Sequence, residues 1–308
     1  MSSLAAIALL IVGIGLVIAG AELLLDGLLA SAGRLGVPAF ALIVLISGFE
    51  LENLAAGIAA NAEGLPGAAA GTFLGGATFL ALGVAGIGAV IAPIRAELPR
   101  SALIWTAAAP LPLLALSLGG AVSRLDGALL ILWFAIAILG LARSGGSKLG
   151  AADEAVEASR RRRPWIPLLG GLAILTAGGD LLAQALRDVV DRLGVSQTLL
   201  GNTVIAASVE GEEVARVAVP TRRGRGDLAL GNITGTIVHF ISFNAGVIAL
   251  VKPLALDDAT RCLHLPVAVA STAVLCGLLW LRKGITRGAG VALLGLYAAY
   301  IAGAVVVS

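Results

Sequence analysis

Cysteine is nearly absent from this chain: Cys262 and Cys276 are the only two in 308 residues, fourteen positions apart on one apolar segment. At the helical rise that separation is about 21 Å, so they cannot bridge each other, and no disulfide or zinc framework is available. Histidine is as scarce. His239 and His264, with no His-Glu-x-x-His pair, leave little general-base inventory, so the chain is not read as an enzyme and no resident cofactor is implied. Charge is thin at 13% of residues, and 21 Lys and Arg against 19 Asp and Glu leave only +2. The basic residues do not gather on one solvated face, which removes the footprint of nucleic-acid binding.

Hydrophobic residues make up 58% of the chain, and the mean hydropathy is +1.00. A soluble domain of that composition could not solvate its own surface, so the sequence predicts an all-α integral membrane protein with the lipid bilayer as its main partner. Gly, Pro and Arg punctuation divides it into ten stretches of about the length a membrane requires. They fall near 4–29, 38–61, 68–94, 101–119, 125–143, 164–187, 196–219, 228–251, 263–282 and 286–307. The first stretch has no basic leader and carries Glu22 and Asp26, so it reads as a retained helix and not a signal peptide.

With ten spans, Arg124, Arg187, Arg192, Lys252 and Arg261 fall on one side and the remaining sixteen basic residues on the other. The positive-inside rule makes the richer side cytoplasmic and puts both termini outside. High Ala, Gly and Arg usage without organelle-targeting features points to a prokaryotic plasma membrane.

The one sizeable polar stretch, 144–163, is a linker too poor in apolar residues to form a domain, and it is expected on the cytoplasmic side. It separates a first five-helix half, 1–143, from a second, 164–308. An odd number of spans in each half means that, if the halves repeat, they do so with inverted topology. They do repeat in sequence. Gly20 to Leu24 followed by Arg34-Leu35-Gly36-Val37 returns as Gly179 to Leu182 followed by Arg192-Leu193-Gly194-Val195. At an offset of 160, Glu50, Glu52, Ala55, Gly64, Gly71 and Gly75 meet Glu210, Glu212, Ala215, Gly224, Gly231 and Gly235.

Five glutamates lie mid-span: Glu50 and Glu52 in the second stretch, Glu210, Glu212 and Glu213 in the seventh. Each ionised side chain at a bilayer centre costs about 2.5 to 3.5 kcal/mol, so together they cost on the order of 12 to 18 kcal/mol. That exceeds the net stability of most domains. Protonation, a bound cation, a basic partner or an aqueous cavity must compensate. Clustered carboxylates suit a hard cation such as Ca²⁺, which takes six to eight oxygens. Carbonyls freed at a helix break, with Gly48 and the Ser208/Gly211 pair as the weak points, would complete the shell. Arg216 stands four residues after Glu212 and three after Glu213, so a salt bridge to one of them is the competing explanation. Glu22, Asp26 and Asp180 reach an interface or cap a helix as readily as they serve transport. His239 is a candidate proton relay, although a lone histidine in an apolar helix more often serves packing. The glycine spacing at 71/75 and 231/235 reads as close helix approach.

These patterns resemble the sodium/calcium exchanger family of the cation/calcium antiporter superfamily, over residues 10–95 and 170–255. The family's Gly-Thr-Ser-x-Pro-Glu turn aligns on Gly48 to Asn53 and on Ser208 to Glu213. Its Gly-Asn-x-x-Gly-Ser-Asn run aligns on Gly71 to Ala77 and on Gly231 to Ile237. The resemblance implies that Glu213 coordinates Ca²⁺ and that Asn53, at the equivalent position, offers an amide oxygen in place of a charge. Asn232 matches the family residue, while Thr72 and Thr236 replace other polar ones. Phe49, Val209, Glu50, Glu210, Glu52 and Glu212 replace the signature threonines, serines and prolines, which trades neutral oxygens for carboxylates.

The resemblance thus implies a secondary active antiporter that exchanges Ca²⁺ for Na⁺ or H⁺ by alternating access. Its cation site would comprise Glu50, Glu52, Asn53, Glu210, Glu212, Glu213, Thr72, Asn232 and Thr236, with Glu50, Glu210 and Glu213 as the metal-binding carboxylates. The alternatives are a cation/proton exchanger for another cation, a cation channel and a transport-dead relative.

Overall fold

The computed structural model describes residues 3–48, 50–145, 163–193 and 211–307. Its framework is helical, as a chain must be when every main-chain polar group has to be satisfied within lipid. α1 (Ser3–Leu35) opens the chain; α2 (Ala39–Ile46) and α3 (Leu51–Ala62) follow. α4 (Pro66–Thr78) continues through a π-helical turn, Phe79–Val84, into α5 (Ala85–Ile91). α6 (Arg100–Ala108), α7 (Leu111–Leu116) and α8 (Arg124–Ser144) complete the first half. The second half holds α9 (Trp165–Leu193), α10 (Gly211–Arg222) and α11 (Gly226–Val238). A second π-helical turn, His239–Asn244, leads from α11 into α12 (Ala245–Val251). α13 (Leu265–Leu281) and α14 (Arg287–Val307) end it.

Seven of the described helical stretches are long and apolar enough to cross a membrane. The expected second, sixth and seventh spans are not among them. The second is broken, with α2 ending before Ser47 and α3 starting after Glu50. The apolar part of α9 covers only Trp165–Leu181. Of the seventh, only the part from Gly211 is described, and most of the 144–163 linker likewise lies outside the described residues.

The two most enclosed stretches are Pro66–Ile91 and Gly226–Val251, and every residue of α11 is buried. The two are built alike. Gly64 and Gly224 each take a left-handed turn just before the helix, φ +82° and +76°, where a side chain would be strained. Their π-helical turns stand 160 positions apart, the same offset as the sequence repeat.

Contacts between halves also come in matched pairs. Ile94 exchanges main-chain hydrogen bonds with Ile285 at 3.0 and 2.9 Å, and Val122 pairs with Leu254 in a two-stranded ribbon. Arg287 donates to the Val90 carbonyl and Arg124 to the Leu250 and Val251 carbonyls, so each arginine caps a helix end in the opposite half. The first bridge brings Arg95 and Arg282 near each other, and at the second Arg124 and Lys252 flank the end of α12.

α1 and α9 lie backbone to backbone and antiparallel. Gly20 faces Leu175 and Gly27 faces Leu168, while Gly171 faces Leu24 and Gly178 faces Val17. A methyl group on Gly27 would stand 2.2 Å from the Leu168 nitrogen. Glycine permits this approach and association in lipid relies on such packing. Gly27→Leu is therefore expected to lower the melting temperature of the purified protein sharply, because overpacking costs about 1 to 3 kcal/mol or more. Gly15→Leu, at a position with nothing within 4 Å among the described residues, is the matched control and should leave it unchanged.

Candidate functional site

The break in the second expected span positions the site. α2 closes with the Ser47 amide bonded to the Ile43 carbonyl, and Glu50 precedes α3 with φ −90° and ψ 89°, outside the helical range. Between them Gly48 lies against His239, where an added Cβ would come within 2.2 Å of the imidazole's Cβ and Cγ. Only glycine lets α2 terminate directly on the second π-helical turn. The glycines of α11 do the same on its neighbouring face: Gly231 meets Phe40 and Ile43, and Gly235 meets Val44 and Ser47. This is the close helix approach expected from their spacing. Their first-half counterparts, Gly71 and Gly75, meet nothing within 4 Å among the described residues.

At this junction three glutamates converge on one guanidinium. Arg216, on α10 and 8% exposed, places Nη1 2.6 Å from Glu213 Oε1 and 3.6 Å from Glu50 Oε1. Its Nη2 donates to Glu212 Oε1 at 2.9 Å, and Nη1 also donates to the Ser47 carbonyl at 3.3 Å, an acceptor released by the break. Glu213 is fully buried and takes a second hydrogen bond, on Oε2, from the Asn232 amide of α11. Asn53 donates its amide nitrogen to Glu50 Oε2 at 2.6 Å. A buried carboxylate network of this kind is favourable only when the opposing charge and the hydrogen bonds are both present.

The structure thus brings Glu50, Asn53, Glu212, Glu213 and Asn232 into one cluster. Of the expected metal-binding set of Glu50, Glu210 and Glu213, Glu210 lies outside the described residues, and Glu50 and Glu213 meet across Arg216. Among the described residues no three His, Cys, Asp or Glu side chains are placed to hold a metal ion. The planar fork of the guanidinium engages several carboxylates at once. The salt bridge from Arg216 was expected to one glutamate of its own helix; it reaches both of them and Glu50 of the other half. Asn53 approaches with its nitrogen, not the oxygen expected of a ligand.

Thr236 follows Asn232 by one helical turn and therefore shares its face. Its hydroxyl and the Asn232 Oδ1 are buried without a hydrogen-bond partner among the described residues. Thr72 sits apart, donating to the Ala69 carbonyl at 2.8 Å and facing Gly57 of α3. Glu52 occupies the first turn of α3. His239 is fully buried, with Nδ1 2.9 Å from the Gly235 carbonyl and its ring edge-on to Phe134. Glu22 and Asp26 are accounted for by Arg223, at 3.8 and 2.5 Å, and so bind α1 to the end of α10.

The sodium/calcium exchanger protein pattern matches residues 5–142 and again 164–306. The chain belongs to the sodium/calcium exchanger family. Membership covers nearly the whole chain and both halves separately. The inner membrane protein YrbG of Escherichia coli is 29% identical across 97% of this chain and 96% of its own length. The putative antiporter CaxA of Alkalimonas amylolytica is 34% identical over 40% of this chain and 38% of its own. A solved structure of the sodium-calcium exchanger NCX_Mj superposes with a TM-score of 0.81 over 97% of this chain and 98% of that one. At 20% identity that match establishes a shared fold.

Asn232 supplies the hydrogen bond that Glu213 receives from α11, so Asn232→Leu removes a donor from a fully buried carboxylate. Bonds to charged groups contribute about 1.5 to 3 kcal/mol. Chemical or thermal unfolding of the purified variant is expected to show a loss of that size, with Asn232→Gln retaining part of it.

Proposed function

We propose that this family member is a secondary active cation antiporter, moving Ca²⁺ against Na⁺ or H⁺ by alternating access. The observation that carries the reading is the charge balance of the buried cluster. Counted at formal charge among the described residues, Glu50, Glu212 and Glu213 against Arg216 leave two negative charges, the complement of one divalent cation or of two monovalent ones. Oxygen donors suited to a hard cation are the carboxylates themselves and the Ser47 carbonyl, and the buried Asn232 Oδ1 and Thr236 hydroxyl on the adjoining face of α11 are proposed to add to them. Glu52 and Glu210 belong to the proposed site through the sequence repeat, and Thr72 as the first-half partner of the same pattern. His239, beside the Gly48 break, is the proposed proton relay where H⁺ is the coupling ion.

Exchange is favoured over uniport because a carboxylate site crossing the membrane with uncompensated charge meets a large desolvation penalty. The proposed architecture is ten spans in two inverted five-helix repeats, 1–143 and 164–308, joined by a cytoplasmic linker at 144–163. It is supported by the double family match, the paired π-helical turns, the reciprocal arginine caps and the antiparallel seam of α1 with α9. The distribution of basic residues supports both termini outside, and the high Ala, Gly and Arg usage supports a prokaryotic plasma membrane.

One observation favours a second reading. A guanidinium fixed permanently among the glutamates would leave no place for a substrate, and the chain would be a transport-dead relative. Proteoliposomes loaded with an outward Na⁺ gradient or, separately, an outward H⁺ gradient decide between them. Ca²⁺ uptake driven by one gradient, and reduced at least tenfold in Glu213→Gln, is the expected result. No uptake of Ca²⁺ or another divalent cation under either gradient would establish the transport-dead reading.

A further inference from the structure

The two arms of the Arg216 guanidinium face different surroundings. Nη1 points into the break, where Glu213, Glu50 and the Ser47 carbonyl lie within 2.6 to 3.6 Å. These are the oxygens that the transport reading assigns to the cation. Nη2 bonds to Glu212, which is the least buried of the three carboxylates, at 13% exposed against 8% and 0%. Glu212 faces Gly179 of α9, where even an added Cβ would be 3.7 Å from its Oε2. A side chain on that glycine would meet Glu212 at ordinary contact distance, whereas Glu213 is fully enclosed.

We propose that Arg216 is a tethered substitute for the transported cation. Its Nη1 arm neutralises Glu213 and Glu50 in the substrate-free carrier, and its Nη2 bond to Glu212 is the anchor on which it withdraws when a cation enters. The inference rests on the transport reading. It also explains why no carboxylate triad is preformed among the described residues: the oxygens are arranged around a planar fork, and a spherical ion must displace it. Arginine suits the task because it remains charged throughout and bonds two carboxylates at once.

A competitor built into the protein weakens apparent affinity by the fraction of carriers it occupies. If the guanidinium fills the site in about nine of ten empty carriers, the apparent dissociation constant is raised about tenfold. The two partners of the switch then carry opposite signs. Removing the competitor frees the site, whereas removing the anchor takes away the carboxylate that holds the guanidinium in its withdrawn position and so favours its return to Glu213 and Glu50.

The test is equilibrium binding of radioactive Ca²⁺ to purified full-length protein in nanodiscs, for wild type, Arg216→Gln, Arg216→Lys and Glu212→Gln. Melting temperatures are read with and without Ca²⁺. Expected are about tenfold tighter half-saturation in Arg216→Gln, weaker half-saturation in Glu212→Gln, and a low melting temperature of Arg216→Gln that Ca²⁺ restores. If Arg216→Gln does not fold, Arg216→Lys decides, because an ammonium cannot span Glu213 and Glu212 together. Tighter binding in the lysine variant supports the switch, and unchanged or weaker binding overturns it. Binding by wild type with unchanged or lost affinity in Arg216→Gln overturns the tethered-cation role and leaves the transport reading standing. Absence of Ca²⁺ binding in every variant, wild type included, overturns both. Binding in Arg216→Gln but not in wild type supports the substitution and places it at full occupancy.

Discussion

The architecture depends on compensating buried negative charge at a place where water is excluded. Glu213 is enclosed on all sides, and an isolated carboxylate there would be expelled or neutralised. Arg216 makes the position tenable, but only because α2 stops short and lends a main-chain oxygen, and because Asn232 reaches over from α11. Four separate elements therefore terminate, turn or pack as they do around one guanidinium. The break at Gly48, the glycine face of α11 and the π-helical turn at His239 follow from the need to bring these groups within hydrogen-bond reach.

The seven spans that are both long and apolar were legible in the sequence, since burial in lipid demands unbroken hydrophobic runs. The break was legible only as a weak point at Gly48 within a span read as continuous, because glycine is a poor helix former. The midspan glutamates stood out through the cost of their burial. What could not be read was Arg216 reaching Glu50, from which it is separated by more than half the chain. Helical spacing links Arg216 to Glu212 and Glu213 and is silent on the opposite repeat. A cationic side chain one turn beyond two intramembrane acids was the available signal that the compensating charge is internal.

Relatives that carry threonine, serine and proline in the signature turn present neutral oxygens there. This chain has glutamates at the serine and proline positions and Phe49 and Val209 at the threonine positions, and the arginine accompanies them. The two departures belong together: each added carboxylate in the break raises the charge to be balanced, and one guanidinium lowers it again. A family signature scored position by position registers only losses, whereas the side chains taken together make a coherent alternative.

The halves are joined less by the linker than by reciprocal embrace. α5 packs on α14 and α8 on α12, with Gly86 seated on the Gly290 carbonyl and Gly127 on the Gly246 carbonyl. The ends of α5 and α12 are each sealed by an arginine of the other half. The ribosome, however, delivers these partners in sequence. When residue 145 emerges, α5 and α8 have been made and the surfaces they will meet have not, so the nascent first half must wait in the bilayer with glycine-lined grooves filled only by lipid. Completion of the protein is then less an addition of helices than an exchange of lipid for protein along two seams, the last of which closes only when the final helix has been synthesised.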